Sequence, residues 1–114
     1  MASCAVALRY IAAHYAESIP LSALAEACHM NESYFCRRFR ACTGRTAVQY
    51  VNEYRLTKAK ALLLTTEYSV CEIAAATGFD DSSYFTRKFK EQYSISPTAM
   101  RNGNLTGKDK EDIL

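Results

Sequence analysis

Two prolines and four glycines in 114 residues leave little material for linkers or a loop-rich architecture. No apolar run approaches the ~20 residues needed to cross a bilayer. The start, Met1-Ala2-Ser3-Cys4, has no basic segment ahead of an apolar core and so offers no secretory signal. A cytoplasmic location with no membrane partner is the expectation. The five cysteines (Cys4, Cys28, Cys36, Cys42, Cys71) are an odd set without a Cys-x-x-Cys, which suits neither a disulfide framework nor a zinc finger. They read as small hydrophobes, with Cys71 among helix-core positions. His14 and His29 are isolated and read as surface or turn residues. Catalytic constellations are missing as well. There is no phosphate-cradling glycine loop, no carboxylate pair in an apolar setting and no cysteine-histidine pair at a helix start. The chain is expected to be no enzyme and to need no metal or cofactor.

What is present favours helices. The chain is 49% hydrophobic, rich in alanine and leucine, and long enough for one domain or two small cores sharing a helix. Its net charge of +2 is unremarkable, but the distribution is uneven. Residues 37–60 hold seven basic side chains against Glu53, a net +6, whereas residues 1–36 carry −2. Residues 102–114 carry −1 and read as a polar, frayed tail. The positive field is therefore local, as a docking face for a polyanion requires.

One helical phrase occurs twice. The first copy runs Leu21-x-x-Leu24-Ala25 to Met30, then Ser33-Tyr34-Phe35-Cys36-Arg37-Arg38-Phe39. The second runs Val70-x-x-Ile73-Ala74 to Phe79, then Ser83-Tyr84-Phe85-Thr86-Arg87-Lys88-Phe89. The offset is 49 in the first half and 50 in the second, so Gly78-Phe79-Asp80-Asp81 contains one added residue. A short helix, a tight turn and a second helix with a basic face describe a helix-turn-helix.

The order and spacing of further segments carry a family resemblance. These are Gly44-Arg45-Thr46, Gln49-Tyr50-Val51, Arg55-Leu56-x-x-Ala59-x-x-Leu62-Leu63, Gly78-Phe79 and Ser96-Pro97 followed by Arg101. Together with the two aromatic-arginine clusters, they resemble the DNA-binding domain of AraC-type (AraC/XylS) bacterial transcription regulators over residues 1–101. Ser94 stands where that family usually has glycine, and Met100 where it usually has tyrosine. The resemblance implies an all-α fold with two helix-turn-helix subdomains (about 21–42 and 70–92) joined by a long central helix (about 46–64). It also implies double-stranded DNA as partner, RNA polymerase as a candidate second partner, and a cytoplasmic, nucleoid-associated location. AraC-type regulators often carry a separate sensing and dimerising domain. The chain is accordingly expected to be a stand-alone member or an excised C-terminal portion, and monomeric in isolation.

Seven helices account for the sequence, near 3–16, 21–28, 32–42, 46–64, 70–77, 82–92 and after Ser96-Pro97. In the first, Cys4, Leu8, Ile11 and Tyr15 recur at helical spacing. Pro20 suits the start of the second, Asn31 caps the third, and Gly44 stops it in the left-handed region. Thr46-x-x-Gln49 and Ser69-x-x-Glu72 read as capping boxes, and Asp81 caps the sixth helix.

At 100° per residue, Ser33, Cys36, Arg37 and Arg40 share one side of the third helix, opposite Phe35 and Phe39. Ser83, Thr86, Arg87 and Lys90 repeat that side on the sixth, opposite Phe85 and Phe89. Arginine donates two parallel hydrogen bonds to guanine O6 and N7, which makes Arg37 and Arg87 the principal base readers. Ser33, Ser82, Ser83 and Thr86 are short enough to reach base edges or a thymine methyl, and Cys36 offers a weak polar or apolar contact. The aligned positions of the AraC-type family include base-contacting ones. Arg40, Arg45, Lys88 and Lys90 suit phosphates. Tyr34 and Tyr84 are read either as hydroxyl helpers at phosphate or as rings packed partly on the core.

The central helix should span about 28 Å, close to the ~34 Å between successive major-groove faces on one side of B-DNA. Val48, Val51, Leu56, Ala59, Leu62 and Leu63 are expected to feed the two cores, with Arg55 in a structural ion pair. Head-to-tail motifs have no two-fold axis, so the expected site is asymmetric and covers about two turns of duplex. The alternatives from other classes are a thiol-redox switch, with Cys36 as its candidate, and a protein-interaction module on the same fold.

Overall fold

Every helix after the first begins or ends on a residue whose side chain or backbone conformation satisfies groups that the helix leaves open. The computed structural model describes residues 2–103; of the tail 102–114, all but its first two residues lie outside that range. The elements are α1 (Ala2–His14), α2 (Leu21–Ala27), α3 (Glu32–Thr43), α4 (Ala47–Thr65), α5 (Val70–Ala76), α6 (Ser82–Tyr93) and α7 (Pro97–Arg101). No strand occurs among the described residues. The all-α expectation holds, with helix ends shifted by no more than two residues.

The caps act as the sequence suggests. Asn31 accepts a hydrogen bond from the Tyr34 N–H at 2.8 Å, and Asp81 accepts from Ser83 and Tyr84. Ser69 and Glu72 close a reciprocal box, as do Thr46 and Gln49. Both helix-turn-helix turns are Schellman closures, in which Met30 N–H reaches the Ala25 carbonyl and Phe79 N–H the Ala74 carbonyl, each at 2.9 Å. Because Asn31 and Asp81 are the equivalent caps, the added residue of the second copy is Asp80, between Phe79 and the cap.

The chain divides into two compact units between Arg55 and Leu56, inside α4. In the first unit Ala7, Ile11, Leu24, Ala25, Phe35, Phe39, Ala47 and Val51 form the core. In the second, Leu56, Ala59, Leu63, Ile73, Ala74, Phe79, Phe85, Phe89 and Met100 do so. The N-terminal half of α4 thus closes one core while its C-terminal half opens the next. α7 closes the second unit as the start of α4 closes the first: Ser96 and Thr46 are equivalent caps, and Met100 and Tyr50 equivalent packing residues.

An arginine ties down a connecting segment in each unit. Arg55 donates to the carbonyls of Tyr15 (2.7 Å) and Glu17 (2.8 Å). Arg101 donates to those of Leu63, Thr66 and Tyr68. Through these bonds Arg55 has a structural role, made by hydrogen bonds to backbone carbonyls where the sequence suggested an ion pair.

Three expectations need correction. Val48 is 67% exposed rather than a core residue, because it lies about 100° around α4 from buried Ala47. Cys71 is exposed, offset in the same way from the stripe formed by Val70, Ile73 and Ala74. The cysteines are not all unpaired: Cys4 on α1 and Cys42 at the end of α3 form a disulfide, with Cα atoms 6.7 Å apart. Only the packing of α1 on α3 brings together residues separated by 38 positions. Cys28 is buried, and burial pushes its thiol above the ordinary value, against a smaller lowering by a hydrogen bond with the Ala7 backbone.

The two units distribute left-handed backbone differently. In the turns, His29 (φ 58°) stands where the second copy has Gly78 (φ 96°). At the ends of the second helices, Gly44 (φ 74°) is matched by Ser94 (φ 67°). A Cβ on Gly44 would meet nothing within 4 Å, so conformation alone carries the cost there. Ser94→Gly should therefore stabilise the second unit, and Gly44→Ser destabilise the first, each by about 1 kcal/mol in denaturant titrations. Reduction of Cys4–Cys42 reopens a long loop in the unfolded chain. It should lower the stability of the first unit by about 4 kcal/mol on the chain-entropy account, with the Cys4→Ser variant melting like the reduced parent.

Candidate nucleic-acid interface

α3 and α6 are each divided lengthwise into an aromatic side and a polar side. Phe35 and Phe39 are 2% and 1% exposed, and Phe85 and Phe89 are fully enclosed. The paired rings touch along each helix, with centroids 5.5 Å apart on α3 and 5.7 Å on α6. Burying residues four apart sets the rotation of the helix, and the residues between them must face outward.

On α3 that outward side consists of Ser33, Cys36, Arg37 and Arg40, all exposed. On α6 Ser83, Arg87 and Lys90 are exposed and Ser82 and Thr86 half-buried. Ser82, Ser83, Thr86, Arg87, Lys90 and Glu91 together line one open depression. Neither Arg37, Arg40, Arg87 nor Lys90 pairs with a carboxylate among the described residues, which leaves their charge available.

The remaining candidates are placed differently. Arg45 holds Glu53 in a two-pronged ion pair, Nε to Oε1 at 3.1 Å and to Oε2 at 2.9 Å. Both partners are largely solvated, so the pair contributes no more than about 1 kcal/mol and can exchange for another anion. Lys88 Nζ lies 3.3 Å from Glu91 Oε1. Tyr34 is 44% exposed, which favours a surface role for its ring. Tyr84 is half-buried and packs on Phe79 with centroids 6.2 Å apart, so this ring belongs partly to the core. Sequence reasoning passed over Glu91, although its i,i+3 spacing from Lys88 is the ordinary signal for a helical ion pair.

The fold and this recurring basic face define a helix-turn-helix protein. A family model described as "Helix-turn-helix domain" matches residues 24–103, and the chain belongs to the AraC-type helix-turn-helix family of DNA-binding transcription regulators, which are not enzymes. The transcriptional activator RhaS of Salmonella schwarzengrund is 34% identical over 96 residues, covering 84% of this chain and 34% of that protein. The C-terminal domain of the response regulator yesN of Fusobacterium nucleatum is 36% identical with a TM-score of 0.81, covering 85% of this chain and 95% of that one. The DNA-binding domain of AdpA, solved in complex with a target DNA, is 32% identical with a TM-score of 0.84, covering 88% and 90%. The chain spans about a third of the length of the curated relatives it matches. Among the described residues no helix is long and apolar enough to cross a membrane.

Truncating Phe39 or Phe89 to Ala should destabilise its own unit by about 3–5 kcal/mol, in keeping with a core rather than a surface position. Circular dichroism melts and DNA titrations on each variant check this. A variant that melts like the parent but no longer binds DNA would place the phenylalanine against the duplex and the helical phase in error.

Proposed function

We propose that this chain binds duplex DNA sequence-specifically as a monomer, with α3 and α6 entering successive major grooves of an asymmetric site about two turns long. One observation carries the reading: the same basic side occurs on both second helices, at equivalent positions, opposite a phenylalanine pair that is buried in each. A solvated surface has no reason to repeat a hydroxyl-then-arginine pattern at a fixed offset. The asymmetry of the proposed site follows from the head-to-tail order of the two motifs along the chain.

Within this reading Arg37 and Arg87 read guanines, while Ser33, Cys36, Ser82, Ser83 and Thr86 contact neighbouring base edges. Arg40 and Lys90 contact phosphate, with Tyr34 and Tyr84 beside them. Arg45 and Lys88 join by exchanging their glutamates for the DNA backbone. The chain acts as a transcription regulator, or the DNA-binding portion of one, in the cytoplasm on the nucleoid. Contact with RNA polymerase belongs to the same proposal.

If roughly 4–8 phosphates are neutralised, the log–log dependence of affinity on salt should have a slope of about −4 to −7. Arg87→Ala should cost about 1–3 kcal/mol and relax base preference in one half of the site. Lys90→Ala should weaken all sequences alike and flatten the slope by about one unit. Selection from a random duplex pool, followed by titration at several salt concentrations, measures both. Binding only as a symmetric dimer on a palindrome, or a salt-independent isotherm, would overturn the reading.

A further inference from the structure

The two arginines that carry base recognition share a contact that their charge does not require. The Arg37 guanidinium carbon lies 5.8 Å from the centroid of the Tyr34 ring, and that of Arg87 lies 5.3 Å from the Tyr84 ring. Both distances are within the range of a cation–π attraction. Both tyrosines stand three residues before their arginine, in two motifs whose other side chains differ at many places. Helical side chains lean toward the N-terminus, so an arginine reaches back over the residue one turn before it. The N-terminal turn of the second helix is also the part of a helix-turn-helix that meets base edges.

We propose that Tyr34 and Tyr84 are positioning residues for base readout, each ring holding the guanidinium three residues later over the N-terminal turn of its own helix. The inference rests on the DNA-reading function proposed above. An unheld arginine loses its rotamer freedom on docking, and loses it again for every competing sequence that it samples. A guanidinium already stacked on a ring has less freedom to lose. Its planar fork also keeps the orientation needed for two parallel bonds to one base. The ring face is the contact that sets the pose, since neither arginine has a carboxylate partner among the described residues.

The two holds are unequal. Tyr84 is anchored against Phe79, and the ammonium of Lys88 lies 5.7 Å from the same ring while paired with Glu91. Tyr34 is largely surface. The half of the site read by α6 should therefore be the more stringent, and should depend more on its tyrosine.

The test uses the full chain, the duplex selected from a random pool and a scrambled duplex of equal length. Tyr34→Phe and Tyr84→Phe keep the ring and should preserve the ratio of the two affinities. Tyr34→Leu and Tyr84→Leu remove it and should lower that ratio about three- to tenfold, more for Tyr84. A phosphate contact made by either hydroxyl is lost from the Phe and Leu variants alike and weakens both duplexes together, so the ratio alone reads the ring; the salt slope should stay at its parental value because tyrosine carries no charge. Phe variants that lose as much as the Leu variants would assign the effect to the hydroxyl and overturn the proposal. Leu variants that weaken both duplexes equally would overturn it too. If Tyr84→Leu melts early by circular dichroism, Tyr34→Leu, at an exposed position, decides alone. A parent chain that does not distinguish the duplexes removes the DNA-reading function and this inference together. A parent that distinguishes them, with Leu variants that do so equally well, removes the positioning role only.

Discussion

Everything on the polar faces of α3 and α6 depends on the burial of two phenylalanines four residues apart. A ring pair of this kind fixes a helix in rotation as well as in place, because turning the helix by one residue would carry a large apolar side chain into water. Phe35 with Phe39, and Phe85 with Phe89, therefore decide which residues point outward. The arginines are displayed because they lie two residues after the first ring and two before the second. The basic faces of α3 and α6 are thus a consequence of core packing, and a change in the core would alter them before any polar residue was touched.

Local chemistry was legible in the sequence, while features requiring the fold were not. Asn31, Ser69, Asp81 and the Thr46–Gln49 pair act within three residues of themselves, so spacing alone reveals them. Phe39 and Phe89 were placed correctly because aromatic residues four apart leave little ambiguity in helical phase. Val48 and Cys71 failed for one shared reason. Each follows directly after the first residue of a buried or half-buried stripe, and an apolar side chain about 100° off that stripe looks like part of it when only composition is read. α4 adds a difficulty of its own, because its two halves serve different cores and no single apolar phase describes all of it. The Cys4–Cys42 pairing was illegible because only tertiary packing brings those residues together. The tyrosine–arginine stacking had a visible signal, the repeated Tyr-x-x-Arg. Sequence alone could not decide between ring and hydroxyl.

The repeat also shows how one plan tolerates different parts. Where the first unit buries Cys28, the second buries Thr77, whose hydroxyl is satisfied by donating to the Ile73 carbonyl at 2.8 Å. A polar group is acceptable at that depth because the Ile73 carbonyl, which already accepts the Thr77 N–H, has a second lone pair for the hydroxyl. Each unit needs left-handed backbone in its turn and at the end of its second helix, and at those two places it uses glycine once and a bulkier residue once. The conformational cost is therefore shared between the units, at the turn in the first and at the helix end in the second. His29 and Ser94 are tolerated there because packing on either side holds the backbone in place: Met30 beyond the first turn, Tyr93 and Ile95 around the second stop.

These exchanges bear on function through stability rather than through contact. A helix-turn-helix presents its bases' readers only while its short first helix supports the second, and α2 and α5 have just seven residues each. Helices that short do not persist alone in water, so each depends on its Schellman turn and on the apolar residue that follows it. In the first unit the disulfide from α1 to the end of α3 adds a covalent brace to that arrangement. The second has no such brace among the described residues and relies instead on glycine in its turn, a capping box on α5 and the Arg101 contacts with the α4–α5 connection. Two copies of one motif in one chain are therefore held by different means, and the redox state of Cys4 and Cys42 bears directly on the first unit alone.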